Sequence, residues 1–133
     1  DKQKRLIAAP RIIEAPQERL SAIVSQAAKK GLPEIERTDD RLVKGCVSRV
    51  WLKTEYQAGR CRFQADADSP MVKGLVTLLC EVYDHGLPAE VISIECILWQ
   101  SLGFHKLLSP TRIQGLAAVR AKILEFAATQ AAT

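Results

Sequence analysis

Residues 47–70, VSRVWLKTEYQAGRCRFQADADSP, contain the pattern that decides the fold. Both halves of this stretch alternate between two faces. The residues on one face are Val50, Leu52, Thr54, Tyr56, Cys61, Phe63 and Ala65. A period of two residues is typical of strands with one buried face, and the short QAG segment between the halves is typical of a hairpin turn. The stretch therefore predicts an antiparallel β-hairpin.

Helical patterns on both sides of the hairpin predict the elements that cover it. One helix starts at Pro16, in the first-turn position that proline favours, and ends before Gly31. Two more start at the Ser–Pro pairs 69–70 and 109–110, where serine caps the helix and proline occupies its first turn. The last of these helices extends to about residue 128.

Two regions have weaker patterns. Residues 1–14 are a poorly defined N-terminal segment, and residues 89–108 predict a short helix, a strand around SIEC at 93–96 and a further apolar segment. No repeat or long linker divides the chain. We therefore expect residues 1–133 to form a single α+β domain, in which helices pack against a small antiparallel sheet.

Composition and charge exclude several classes of protein. The 133 residues are 47% hydrophobic and 26% charged, as in ordinary globular domains. No apolar run is long enough to span a bilayer, and we expect no secretory signal before the fold. We expect no membrane partner and a cytoplasmic location, or an organelle stroma or matrix if a transit peptide has been removed. The net charge is +4, but the cations are scattered among Asp and Glu, so we expect no nucleic-acid partner.

The four cysteines predict free thiols rather than a metal site. They stand at positions 46, 61, 80 and 96, without the close pairs that zinc sites use. Cys61, Cys80 and Cys96 lie in apolar runs, where cysteine acts as a small core residue.

Cys46 differs because it lies at an element boundary, directly after Gly45. Glycine lets another molecule approach closely, and Lys44, Arg49 or an arginine distant in the sequence could favour the nucleophilic thiolate. A hydrolase pairing this thiol with a histidine is the weaker interpretation, because the sequence context of such enzymes is missing. Position 46 is therefore the first candidate for a reactive cysteine.

Three polar residues leave alternatives open. Asp66 and Asp68 could cap the following helix together with its serine, or form an exposed docking site. Arg112 lies at a helix N-terminus, where a cation opposes the helix dipole. That conflict indicates a partner or a site, although simple solvent exposure remains the alternative.

Three segments together resemble the SufE-like family, the sulfur-acceptor proteins of iron–sulfur cluster assembly. They are GCVSRVWL at 45–52, DSPMVKGL at 68–75 and LSPTRIQGL at 108–116, and GLPEI at 31–35 adds to the likeness. The resemblance implies a SufE/NifU-type α+β fold. It also implies that Cys46 is the cysteine that carries sulfur as a persulfide.

The resemblance further implies residues, partners and cofactors. The residues expected to support the active loop or bind the partner are Gly45, Ser48, Arg49, Asp68, Arg112 and Gln114. The expected partners are a pyridoxal-phosphate-dependent cysteine desulfurase and a downstream iron–sulfur scaffold protein. The chain itself is expected to hold no cofactor and no metal.

The function expected from these observations is that of a sulfur carrier and desulfurase activator, not an independent enzyme. Transfer would proceed by attack of a thiolate on a sulfane sulfur. Two alternatives stay open. One is a thiol enzyme that acts without a partner, and the other is an adaptor that works without its thiol.

Overall fold

The computed structural model describes residues 2–132 of the chain. The α-helices are α1 (Lys2–Arg11), α2 (Pro16–Ala27), α3 (Pro70–Tyr83), α4 (Pro88–Ser93), α5 (Leu98–Ser101) and α6 (Pro110–Ala131). The strands are β1 (Val50–Gln57) and β2 (Arg60–Ala67), and short 3₁₀ turns lie at Glu34–Glu36, Asp39–Arg41 and Phe104–Lys106. The predicted α+β class is confirmed.

The predicted hairpin forms as two antiparallel strands, with Val50 opposite Ala67 and Gln57 opposite Arg60. Ala58 and Gly59 both have positive φ, at 52° and 78°, as a tight two-residue hairpin turn requires. The inward face follows the predicted alternation at Val50, Cys61 and Phe63, which are buried, but Tyr56 near the turn is 45% exposed.

Trp51 lies on the opposite face of β1, yet only 5% of it is exposed. The connector between α2 and β1 covers this face, and the guanidinium groups of Arg37 and Arg49 lie 5.6 and 5.0 Å from the Trp51 ring. Cation–π contact of this kind is favourable at a desolvated ring. The outer face of the hairpin is therefore partly buried, which the alternation alone does not predict.

Helices α3 and α6 pack against the hairpin, α2 packs against α3, and together they build one core. In α3 the predicted stripe of Val72, Leu75, Val76, Leu79 and Tyr83 is buried. Ser69 and Ser109 cap α3 and α6 as predicted, each accepting a hydrogen bond from the third following backbone N–H. The final helix extends three residues beyond the predicted end at 128 and closes at Ala131.

Two expectations for the weaker regions were incomplete or wrong. Residues 2–11 form the regular helix α1, whereas no strand forms at 93–96 within the described chain. There the side-chain amide of Gln3 donates to Glu95 O at 2.8 Å and accepts from Ile97 N at 2.9 Å. Tyr83 and Arg120 donate to Ile94 O at 2.9 and 3.1 Å. Side chains therefore satisfy the backbone groups that a neighbouring strand would have bonded.

The close approach of α2 and α3 depends on Gly74. A Cβ atom at this position would lie 3.1 Å from Val24 Cα, a backbone atom that cannot move alone. We predict that Gly74→Ala lowers the free energy of unfolding by about 1–3 kcal/mol, because the two helices must separate. Urea unfolding measures this change.

Gly115→Ala is the matched control in α6. A Cβ there meets its nearest atoms at 3.6 Å, which is ordinary contact. The usual helix preference for alanine should then raise stability by about 0.5–1 kcal/mol. Equal effects of the two substitutions would contradict the packing explanation.

Candidate functional site

Cys46 lies in the loop 44–49, whose two ends are held by backbone hydrogen bonds. Val43 N donates to Val50 O at 2.9 Å, which joins the two sides of the loop. Arg49 N donates to Asp68 Oδ1 at 3.2 Å, and Asp68 N donates to Arg49 O at 3.1 Å. The base of the loop is therefore fixed to β1 and to the start of α3.

The tip of the loop is held much more weakly. Gly45 adopts a φ of 94°, in the left-handed region that favours glycine, and turns the chain toward α6. The Cys46 thiol donates to Gly115 O over 3.4 Å, a weak sulfur hydrogen bond. The next residue, Val47, is 85% exposed. The loop thus presents an apolar side chain to solvent while its sulfur faces inward.

Behind the sulfur lies a cavity of about 260 Å³ between α3 and α6. Most of its wall is apolar and comes from Val50, Val72, Leu75, Val76, Leu116 and Val119. The polar side chains of the wall come from the loop and from the start of α6: Ser48, Ser109, Thr111 and Arg112. The cavity can shelter a sulfur atom from solvent, and none of the histidines in the described chain lines it.

Burial raises the pKa of the Cys46 thiol above its ordinary value, and no cation among residues 2–132 offsets this effect. The expectation that Lys44 or Arg49 activates the thiol is therefore wrong for this conformation. Lys44 is exposed, and the Arg49 guanidinium lies over Trp51. In this conformation burial favours the protonated thiol, which donates to the carbonyl oxygen of Gly115.

Arg112 is a polar side chain of the cavity that lacks a complete set of partners. Its backbone N–H is capped by Ser109 Oγ at 3.2 Å. Its Nη1 is buried and has no hydrogen-bond partner among the described residues. The dipole conflict in the sequence thus indicated a residue that does line the cavity.

Of the remaining expected site residues, two lie at the cavity or its loop and one does not. Ser48 lines the cavity, and Asp68 holds the loop base. Gln114 is exposed on α6 and does not form part of the cavity wall.

Of the capping alternative given for this turn, the serine part is confirmed, but neither Asp66 nor Asp68 caps α3. Asp66 accepts from Leu32 N at 2.9 Å and from Ala67 N at 2.8 Å, so it fixes the connector after α2. Asp68 accepts from Arg49 N instead of from a helix N–H. Asp66 therefore holds the connector that follows α2, and Asp68 holds the end of the Cys46 loop.

The two-residue period in the sequence begins at Val47, so sequence reasoning missed the exposure of this residue outside the strand. The strand begins at Val50, and Val47 lies at the exposed tip of the loop. The signal available was the glycine before Cys46, since a loop that turns at Gly45 places the next residues outside the sheet.

Two of the other three cysteines lie in the core as expected, whereas the third, Cys96, is only partly buried. Cys61 and Cys80 are buried, and burial raises the pKa of each thiol. Cys96 is half-buried beside Trp99 and Arg120, apart from the cavity of Cys46. No group of three or more metal-binding side chains occurs between residues 2 and 132, and no helix in that range could span a membrane.

The raised pKa predicts that the Cys46 thiol of the free protein is alkylated slowly. Because the thiolate is the reacting form, the alkylation rate of Cys46 should reach half its maximum at a pH above 9.0. The folded-state pKa lies above the ordinary value of 9.0, so the stability that the buried neutral thiol contributes is fully present below pH 9.0. This stability is lost as the pH rises from 9.0 through the folded-state pKa. Rates from peptide mass spectrometry across pH test this, with the chain unfolded in urea as control. A native midpoint at or below the unfolded one would contradict it.

Comparisons with known proteins agree with this architecture. A family model described as SufE, Fe–S metabolism associated domain, matches residues 4–127. The chain is 35% identical over 96 residues to the chloroplastic quinolinate synthase of Arabidopsis thaliana. That match covers 71% of this chain but only 13% of the plant protein's length.

A solved structure shares the fold. The solution structure of a hypothetical protein from Thermus thermophilus superposes with a TM-score of 0.79 at 18% identity. The match covers 99% of this chain and 97% of the other. Since the family model spans nearly the whole sequence and agrees with the resemblance seen in its motifs, the chain belongs to the SufE family of iron–sulfur metabolism domains.

Proposed function

We propose that this chain accepts sulfur from a pyridoxal-phosphate-dependent cysteine desulfurase onto Cys46. The Cys46 thiolate attacks the outer sulfur of the partner's cysteine persulfide. A new S–S bond forms on Cys46, the partner's S–S bond breaks, and the partner's cysteine leaves as a thiolate. No oxidant or metal is needed, and the chain itself holds no cofactor.

The observation that carries this proposal is the way in which the loop holds Cys46. Its loop is fixed at the base through Arg49 and Asp68, whereas at the tip the Cys46 thiol makes a weak hydrogen bond to Gly115 O. The inward position shelters the sulfur in an apolar cavity. A carrier needs both properties, because it must protect its cargo and also present it to another protein.

The resting position does not suit attack on a protein-bound persulfide. The sulfur faces the cavity, and the burial that raises its pKa keeps it protonated. In our proposal the desulfurase draws residues 44–48 outward about Gly45. This movement rehydrates the thiol and restores its ordinary acidity, while the exposed Val47 supplies an apolar contact. Partner binding and thiol activation are then one event, and removing the sulfur stimulates desulfurase turnover.

The loaded chain would pass its sulfur to a scaffold protein of iron–sulfur cluster assembly. Family membership supports this destination, since the matched domain is one of iron–sulfur metabolism. The geometry gives less support to an independent thiol enzyme, because the described residues that line the cavity offer the thiol no general base.

Mass spectrometry after incubation with a cysteine desulfurase and cysteine, without reductant, tests the proposal. We predict a one-sulfur increment on the peptide that contains Cys46 and none in Cys46→Ser. Cys96→Ser is the matched control, since it removes a half-buried thiol outside the cavity. It should load like the wild type. Desulfurase turnover should rise with wild-type chain and fail to rise with Cys46→Ser.

Two results would oppose the proposal. An increment that persists in Cys46→Ser would assign the sulfur to another residue. Stimulation of the desulfurase by Cys46→Ser as strong as by wild type would favour the thiol-independent adaptor.

A further inference from the structure

We propose that Arg112 holds the charged outer sulfur of persulfidated Cys46 inside the cavity, so that loading itself strengthens the closed loop. This inference rests on the proposed function and concerns the regulation of the same site. It assigns different partners to the two states of one cysteine: Gly115 O for the thiol and Arg112 for the persulfide.

The first observation is the incomplete bonding of Arg112. A buried donor without an acceptor is costly, more so on a charged group, and such exceptions in a folded protein require an explanation. Within residues 2–132, Nη1 of Arg112 is such a donor, and its side chain lines the cavity into which Cys46 faces. An anion in that cavity would complete its hydrogen bonding.

The second observation is that the thiol does not need Arg112. The thiol already donates to Gly115 O at 3.4 Å, and no cation in the described chain lowers its pKa. Burial is the cause that shifts this pKa. The unloaded cysteine therefore offers Arg112 no negative charge, whereas an ionised persulfide would.

The third observation is the size of the cavity. Loading adds one S–S bond, which extends the side chain by about 2 Å. A water molecule in the liquid takes up about 30 Å³, so the cavity of about 260 Å³ has ample room for one more sulfur atom. The apolar walls of α3 and α6 suit a large, polarisable sulfur.

The negative charge of an ionised persulfide also favours a position beside Arg112. A persulfide is a stronger acid than its parent thiol, because the adjacent sulfur stabilises the negative charge. The ionised persulfide has no proton to donate, so it loses the hydrogen bond to Gly115 O. At the N-terminus of α6, an anion beside Arg112 would satisfy both the guanidinium and the helix dipole. The retained charge would keep the loaded loop inward until a partner displaces it.

The experiment loads sulfur without a desulfurase. Inorganic polysulfide supplies a sulfane sulfur to the Cys46 thiolate, forming Cys46–S–S⁻ and releasing a polysulfide shorter by one sulfur. After desalting, dithiothreitol removes that sulfur as hydrogen sulfide and becomes its cyclic disulfide. Peptide mass spectrometry follows the persulfide on Cys46 over time and across pH.

Three variants separate charge from packing. Arg112→Met removes the charge and keeps a long side chain, whereas Arg112→Lys keeps the charge. Lys44→Met removes an exposed cation near Cys46 that does not line the cavity. Alkylation of unloaded Cys46 in each variant reports any loosening of the loop itself.

We expect Arg112→Met to lose sulfur roughly tenfold faster than the wild type, because the ion pair that closes the loop is absent. The pH at which persulfide alkylation reaches half its maximum should rise, because the anion loses its cation. Arg112→Lys should recover part of the retention, and Lys44→Met should match the wild type. Unloaded Cys46 should alkylate at one rate in all four proteins.

Several outcomes would overturn the inference. Equal sulfur loss from wild type and Arg112→Met would remove the role of the guanidinium. A proportional increase in alkylation of the unloaded thiol would indicate a purely structural role. Loss of all the added sulfur from wild-type Cys46 during desalting, after loading with polysulfide at a pH where the thiol alkylates fully, would show that the cavity holds no persulfide. Charge-dependent retention without transfer from any desulfurase would instead refute the proposed function alone.

Discussion

The reciprocal hydrogen bonds between Arg49 and Asp68 are the constraint on which the site depends. They join the end of the Cys46 loop to the start of α3, so the loop cannot drift away from the hairpin. Gly45 then turns the tip toward α6, where Gly115 offers a carbonyl and no side chain. In the proposed mechanism, this firm base and weakly held tip restrict movement of the loop to a swing between the cavity and solvent.

Much of the fold could be predicted because it follows local rules. The hairpin has a two-residue period, and α3 and α6 begin with Ser–Pro pairs that fix their first turns. The failures have tertiary causes. The extended segment near Cys96 is held by Gln3, more than 90 residues away in the chain, and no local pattern encodes such a contact.

The site was predictable in part for a related reason. Cys46 differed from the other cysteines by its boundary position, and Arg112 by its conflict with a helix dipole. The cavity was not predictable, because its walls come from helices that are far apart in sequence and meet only in the packed fold. Burial also reversed the expected effect on the thiol, since the nearby cations face Trp51 or solvent instead of the sulfur.

Accessibility of Cys46 with and without its partner tests the central claim, a sheltered thiol on a loop that opens for another protein. A cysteine desulfurase whose own active cysteine has been replaced can bind without transferring sulfur. The account predicts that adding it raises the alkylation rate of Cys46 by roughly tenfold or more, while Cys96 is unaffected. Identical Cys46 rates in the presence of a demonstrably bound partner would contradict the account.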